Sequence, residues 1–355
     1  MEIPVKNIEN FLRIDAPCVD VRSPSEYTHG HIPDAINIPL LDDEVCKQVG
    51  IAFVQQGRVS AVKIGISLTS YWLPVIIDEM IRVSLDRQLK IYCWRGGMRS
   101  AAAAFLARLA GLNPVLLVGG YKSFRRYVHQ SFIFPWKFIV IGGMTGSGKT
   151  ELLFRLAEMH HQVLDLEGLA NHKGSVFGGL MQPPQPTTEQ FENLIWQQLS
   201  SFNPQFPVWV EDESISIGRC FIPKPIFDRM QASPLIFLDI PSEQRAERLA
   251  KEYGQANPEE LAAMVWKIRK RLGLQQTQTI TQLILQYRFK EACLMILQFY
   301  DKAYSIGLSR RDPHSICLLY TSDAADDLLC VELGGRRIIK QKTTLNSITP
   351  QLTPH

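Results

Sequence analysis

Two short stretches concentrate side chains able to do chemistry. In "IYCWRGGMRS", residues 91–100, Cys93 supplies a thiol nucleophile, and Arg95, Gly96, Gly97, Arg99 and Ser100 surround it. An apolar run ends at the cysteine and the small-residue run "SAAAAFLARLAG" follows, so the spacing predicts a strand, a tight loop and a helix. Backbone N–H groups of such a loop point inward, and the helix dipole and both arginines favour thiolate over thiol. The loop reads as an anion cradle. Taken alone, Cys93 also fits a buried strand-end cysteine beside solvent-facing arginines.

The second stretch is "GGMTGSGKTELL", directly after the apolar "FIVIG". Gly143, Gly148, Lys149 and Thr150 satisfy G-x-x-x-x-G-K-[ST], with Gly146 and Ser147 inside the turn, and the strand-before, helix-after context fits a phosphate-binding loop. Its amides and helix N-terminus cradle phosphate oxygens, Lys149 adds a point charge, and Thr150 is placed to hold Mg²⁺. The motif leaves the phosphate compound unspecified. "VWVEDES" puts Glu211, Asp212 and Glu213 at a strand end, and Asp212 is the preferred partner for Thr150 at the metal or for the leaving group. Asp239, ending "LIFLD", is the competing candidate, and capping or turn formation explains either carboxylate equally well. His172, Lys173 and Ser175 lie in the glycine-flanked "GLANHKGSVFGG", a place for substrate contacts or simply a structural loop.

The elements around these stretches define two α/β units. "CVDVR", "HIPDAINIP", "QLKIYC" and "PVLLVGG" read as strands of the first, with its helix at "SAAAAFLARLAG". "KFIVIGG", "PVWVEDE" and "PLIFLDI" are buried strands of the second. Alternating strands and helices imply parallel sheets covered on both faces. "NPEELAAMVWKIRKRLG" reads as one helix, capped by Asn257, begun by Pro258 and stopped by Gly273. With 355 residues and 46% apolar composition the chain can bury two cores, and the boundary falls near residue 131. Seven cysteines carry neither C-x-x-C nor metal spacing, which suits reduced thiols. The apolar runs are too short to span a bilayer and the N-terminus has no signal-peptide pattern, so a cytoplasmic protein without a membrane partner is expected. A net charge of +3 does not announce nucleic acid, and no DNA partner is expected.

"DVRSPSEYTHGHIPDAINIPL" together with "CWRGGMRS" resembles the rhodanese family of sulfur carriers over residues 1–130. The resemblance implies structural ion-pair positions at Asp20, Arg22 and Glu26, a turn at Gly30-His31-Ile32-Pro33, and a persulfide or its selenium equivalent on Cys93. A rhodanese-like α/β domain followed by a P-loop NTPase-like parallel α/β domain at 131–316 is a narrower pattern. "CWRGGMRS", "GGMTGSGKTELL", "DLEGLANHKGSVFGG" and "WVEDES", in this order, resemble the blocks of the tRNA 2-selenouridine synthase family. That likeness implies an enzyme acting on tRNA with 2-thiouridine at the wobble position. Geranyl diphosphate would alkylate the sulfur, and selenophosphate would then replace the S-geranyl group with selenium. Ile215 in "DESISIG" stands where the family pattern has arginine.

Bottom-up chemistry agrees with that division: a prenyl diphosphate offers the phosphate loop a diphosphate leaving group, and an anionic, soft selenium donor suits the cysteine loop. For tRNA the candidates are Lys122, Arg125 and Arg126 among the aromatics of "YKSFRRYVH", and Lys267, Arg269, Lys270 and Arg271 in "WKIRKR", where a helix dipole alone would also favour basic residues. Residues 317–355, beginning "CLLYTSDAADD", resemble a translated sequencing-library adapter and are expected to be a non-native tail, which takes Cys317, Cys330 and Arg336 out of functional reading. Two other classes stay open: a sulfur-relay module, which needs Cys93 without the phosphate loop, and a nucleotide-dependent kinase, which needs Lys149 and Asp212 without Cys93.

Overall fold

A computed structural model describes residues 2–309 and 311–320. Its strands are β1 (Val5–Lys6), β2 (Cys18–Asp20), β3 (Ile36–Asn37), β4 (Gln88–Tyr92), β5 (Asn113–Leu117), β6 (Phe138–Gly143), β7 (Gln162–Leu164), β8 (Val208–Glu211), β9 (Ser216–Ile217), β10 (Cys220–Phe221), β11 (Leu235–Asp239) and β12 (Ile316–Tyr320). One five-stranded sheet runs β1-β5-β4-β2-β3 and another β12-β11-β6-β8-β7, and every pairing in both is parallel. The apolar runs explain this. Strands buried on both faces need no polar alternation, so "FIVIG", "VWV" and "LIFL" become β6, β8 and β11. The fold class is the expected one, two parallel α/β units in succession, the second with its phosphate loop after an interior strand.

Each chemical loop leaves the carboxyl end of an interior strand. β4 lies between β5 and β2 and ends one residue before Cys93; β6 lies between β8 and β11 and runs into the phosphate loop. Crevices at such strand ends are where open parallel sheets bind ligands.

One helix joins the units. Thr188–Ser200, from the second, packs Phe191, Ile195 and Leu199 into a buried cluster that also holds Tyr121, Phe124 and Val128 from Gly120–Ser131 of the first. Trp196 meets Phe124 edge-on at 4.9 Å. Three helices between β3 and β4, Asp43–Gln56, Arg58–Thr69 and Leu73–Val83, have no counterpart in the sequence reading. Val54, Val59 and Ile66 are exposed on the first two, so their apolar residues do not trace the clean stripe that announces a helix, whereas Leu73–Val83 does carry such a stripe and buries Ile76 and Met80. No single described helix is long and apolar enough to cross a membrane.

The helix expected over 257–273 is two. Asn257 caps it as anticipated, its side chain accepting the Glu259 N–H at 2.8 Å, but the helix Pro258–Lys267 yields at Ile268 (φ −100, ψ 10) to a short turn Arg269–Leu272. Gly273 (φ +86) then stops it. Of the expected tail, residues 317–320 belong to β12, pairing Ile236 with Cys317, and 321–355 lie outside the described residues. An edge strand docks through its backbone, so five apolar residues fit there whatever their origin.

Candidate functional site

β4 delivers Cys93 to the floor of a tight loop, buried to 3% exposure. The Gly97 N–H donates to Sγ at 3.3 Å, and Sγ lies 3.1 Å from Ser100 Oγ, whose hydroxyl donates to the Gly97 carbonyl. With Cys93 deprotonated, that hydroxyl can turn to the sulfur. Gly96 (φ +67) sits so close to the next strand that a Cβ would lie 2.7 Å from the Leu117 carbonyl oxygen. The loop is also tied from outside: Tyr121 N–H donates to the Cys93 carbonyl at 2.8 Å and Lys122 N–H to that of Trp94 at 3.0 Å. Arg95 is exposed at the mouth. Arg99 is not free to face the sulfur: Glu26 takes its guanidinium, with Nη2 donating to Oε1 at 3.1 Å. Burial works to raise the Glu26 carboxyl, but the hydrogen bonds and charge of Arg99 outweigh it and hold the group below the usual carboxylate range. The cationic cradle expected from two arginines therefore reduces to Arg95, the helix N-terminus and the loop amides.

Asp20 and Arg22 form a fully buried pair, Nε bonding both carboxylate oxygens at 3.0 Å and Nη2 one at 2.6 Å. The guanidinium also donates to the Gly30 carbonyl and lies 4.0 Å from the Tyr121 ring centroid. This arrangement fixes the Gly30-His31 turn beneath the loop and makes no contact with the sulfur.

In the second unit Gly143 (φ +155), Gly146 (φ +80) and Gly148 (φ +88) bend the chain into the phosphate loop. Lys149 Nζ donates to the Gly143 carbonyl at 3.1 Å, curled over the loop it serves. Ser147 Oγ is buried with no hydrogen-bond partner among the described residues, an orphan a phosphate oxygen would satisfy. The loop opens into a cavity of about 810 Å³. Acidic groups line its far wall: Thr150 Oγ1 donates to Glu167 Oε2 at 3.3 Å, and Glu211 accepts the Glu167 N–H at 2.7 Å. Burial, then the Glu167 charge, pushes the Glu213 carboxyl up to about 8, and burial raises Glu167 as well. Glu211, enclosed completely, lies well above the carboxylate range.

Asp212 lines the phosphate cavity as well, with Arg311 Nη2 donating to Oδ1 at 2.6 Å and the Tyr304 hydroxyl to Oδ2 at 2.7 Å, while Thr150 bonds Glu167. Arg311 is 4% exposed and Asp212 15%, which makes the pair part of the packing of the C-terminal segment. Asp239 is exposed at the end of β11. No group of three or more His, Cys, Asp or Glu among the described residues is arranged to hold a metal.

A second, apolar cavity opens beside the phosphate loop. Thr145, Ser175, Leu249, Tyr253 and Tyr300 line both spaces, and Phe177, Leu261, Ile284, Phe289, Ile296 and Leu297 complete the apolar one. Ser175, from the glycine-flanked loop, lies where the two cavities meet. Lys173 lines the larger cavity and is ion-paired to Glu252, whereas His172 is held by its backbone, donating N–H to the Glu167 carbonyl.

Residues 136–326 match the family described as tRNA 2-selenouridine synthase AAA domain, and residues 6–127 match the rhodanese-like domain. A tRNA 2-selenouridine synthase of Hydrogenovibrio crunogenus is 34% identical over 349 residues, covering 86% of this chain and 94% of that protein. One from Nitrosomonas europaea is 35% identical over 272 residues, covering 72% and 68%, and one from Sulfurovum sp. 34% over 334 residues, covering 83% and 90%. The chain belongs to the tRNA 2-selenouridine synthase family. It is therefore an enzyme of that family, and its rhodanese-like and P-loop units are the two parts that the family joins.

The basic residues expected to serve this family's tRNA divide into two kinds. Lys122 and Arg126 are exposed on the helix Gly120–Ser131. Arg125 is not: it is ion-paired to Glu192, bonds Asn193 and donates to the Glu189 carbonyl at 3.3 Å, so it joins the two units instead of facing an RNA phosphate. Lys267, Arg269, Lys270 and Arg271 are exposed around the break at Ile268. Sequence reasoning missed Glu167, Arg248, Tyr304 and Arg311. Glu167 alone had a readable signal, an acidic residue in the first turn after a strand.

Proposed function

We propose that this enzyme converts wobble 2-thiouridine of tRNA to 2-selenouridine in two stages, one in each unit. In the first, geranyl diphosphate binds with its diphosphate on the loop Gly143–Thr150 and its chain directed along the apolar residues beside it, whose cavity of about 50 Å³ must widen to admit ten carbons. The thio sulfur bonds to C1 of the geranyl group while the C1–O bond breaks, its electron pair leaving with the diphosphate and the uridine N3 proton passing to solvent. Lys149 and the loop amides stabilise the charge that develops on the departing group. The observation that carries this reading is the apolar cavity sharing five lining residues with the phosphate cavity. A prenyl diphosphate uses both an anion cradle and an adjoining apolar wall.

Mg²⁺, when bound, belongs on Thr150 Oγ1 and the Glu167 carboxylate, where it would add charge stabilisation at the diphosphate. In the second stage the selenium of selenophosphate bonds to C2 at the Cys93 loop while the C2–S bond breaks and geranyl thiol leaves with a proton from solvent, and water then takes the phosphoryl group from selenium, releasing phosphate and 2-selenouridine. The Gly97 N–H, the helix N-terminus and Arg95 suit an anionic donor there. Such chemistry on tRNA is cytoplasmic. Mass spectrometry of nucleosides from 2-thiouridine tRNA incubated with protein, geranyl diphosphate and selenophosphate tests the proposal: S-geranyl-2-thiouridine should appear first and 2-selenouridine follow. Formation of 2-selenouridine at full rate with geranyl diphosphate omitted would overturn the first stage.

A further inference from the structure

We propose that Arg248, on the helix Ser242–Tyr253, is a second cation for the diphosphate, closing over the phosphate loop opposite Lys149. This rests on the reading above, because it takes the loop's ligand to be a diphosphate ester. The guanidinium lies directly on the glycine turn. A Cβ built on Gly148 would stand 1.9 Å from Nη1, and Nη1 is 3.5 Å from the Gly146 carbonyl oxygen. Glycine at 148 is required by φ +88, and the approach of the arginine's tip shows how near the guanidinium comes to the turn.

The ties that hold Arg248 are loose. Beyond the long approach to Gly146 it has only a 3.7 Å contact with Glu151 Oε2, and its side chain is 44% exposed. Neighbouring cations are differently placed. Arg245, one turn earlier on the same helix, is 4% exposed and bonds Asp301 at 2.9 and 2.7 Å, the Thr145 carbonyl at 3.1 Å and the Ile240 carbonyl at 2.9 Å. Arg311 is bound to Asp212 and Lys173 to Glu252. Among the described residues lining the cavity, Lys149 and Arg248 remain as cations with no carboxylate oxygen nearer than 3.7 Å.

The cavity needs both. Lys173 and Arg311 line it too but are each committed to a carboxylate, so a trianionic diphosphate entering with Lys149 alone would find one uncommitted cation beside the loop amides. A guanidinium presents paired N–H donors that match two phosphate oxygens, and charge-assisted bonds of this kind are about twice as strong as neutral ones. As the C1–O bond breaks, charge accumulates on the departing diphosphate, between Lys149 on one side and Arg248 on the other. The competing role for Arg248 is a surface staple to Glu151.

Calorimetric titration of the full chain with inorganic pyrophosphate separates these roles, with melting curves confirming that each variant is folded. Arg248→Ala should weaken pyrophosphate binding about tenfold or more, and Arg248→Lys should recover part of the loss. Glu151→Ala should bind at least as tightly as the unaltered protein, since it releases the guanidinium. Binding that depends on Lys149 but stays within about twofold in Arg248→Ala would remove Arg248 and leave the diphosphate reading standing. A loss in Glu151→Ala equal to that in Arg248→Ala would make Arg248 a staple and overturn the inference. Absence of any pyrophosphate binding by the unaltered protein would overturn the diphosphate reading, and Arg248 with it.

Discussion

Asp212→Asn distinguishes a structural pair from a metal ligand. In the structure the carboxylate accepts from Arg311 at 2.6 Å and from Tyr304 at 2.7 Å, and Arg311 is 4% exposed. The amide keeps the shape but removes the charge, leaving a guanidinium enclosed without its counter-ion. Breaking one side of a buried pair destabilises by about 3–5 kcal/mol. With Asp212 itself 15% exposed, the lower end, about 3 kcal/mol, is the better expectation. For a unit of this size about 1 kcal/mol shifts the melting temperature by about 2–4 °C, so Asp212→Asn should melt about 6–12 °C lower. Arg311→Met should melt lower too. The double variant should fall short of the sum, because the second substitution removes a charge the first had already stranded. Differential scanning calorimetry with and without Mg²⁺ is the assay. An unchanged melting temperature, together with loss of the Mg²⁺-induced rise seen in the unaltered protein, would show that Asp212 holds the metal and that its pairing with Arg311 is incidental.

Lys149→Ala removes charge stabilisation at the departing diphosphate and should leave 2-thiouridine unchanged, whereas Cys93→Ala should accumulate S-geranyl-2-thiouridine; nucleoside mass spectrometry of both variants reads the two stalls. Glu213 is pushed up to about 8 in the folded chain against an ordinary value near 4.5, so the folded state keeps a proton the unfolded state has lost, and its contribution to stability falls as pH rises from about 4.5 to about 8. Glu213→Gln should therefore gain on the unaltered protein across that window and hold a constant advantage above it, measured by denaturant melts at several pH values. Lys122 and Arg126 are exposed while Arg125 is not, so a Lys122→Ala, Arg126→Ala double variant should lower the slope of log affinity for tRNA against log salt by about 1.5, and an unchanged slope in a binding titration would exclude this surface.

Both chemical loops were legible because each is contiguous: strand, glycine turn and helix N-terminus follow one another within ten residues or so, and their backbone geometry is dictated locally. What escaped was assembled across the fold. Arg248, Tyr304 and Arg311 reach the phosphate cavity from helices and turns that a linear reading sees only as amphipathic or polar sequence. The partners of Asp212 were out of reach for the same reason: only the C-terminal segment folding back brings Arg311 and Tyr304 onto its carboxylate. The arginines near Cys93 were over-counted because Glu26, on the helix Pro24–His29, lies far away in sequence and beside Arg99 in space.

The contact between the two units was the least predictable part, and it bears directly on how the sites are held. Tyr121 sits at its centre. Its N–H bonds the Cys93 carbonyl, its hydroxyl donates to Glu189 at 2.9 Å, and that hydroxyl in turn accepts from Asn193 at 2.8 Å. Asn193, fully buried, also donates to the His31 carbonyl at 2.9 Å, and Gln190 accepts the His31 N–H at 2.8 Å. Nothing in "YKSFRRYVH" marks the first of its two tyrosines as a residue that touches both the cysteine loop and the second unit. Separating the units would exchange these enclosed hydrogen bonds for bonds to water, a net loss of about 0.5–1.5 kcal/mol each, and expose the apolar cluster of Phe124, Phe191 and Ile195 as well. Several such terms add to more than a ligand of ordinary affinity supplies, so the backbone around Cys93 keeps one orientation relative to the unit that carries the phosphate loop.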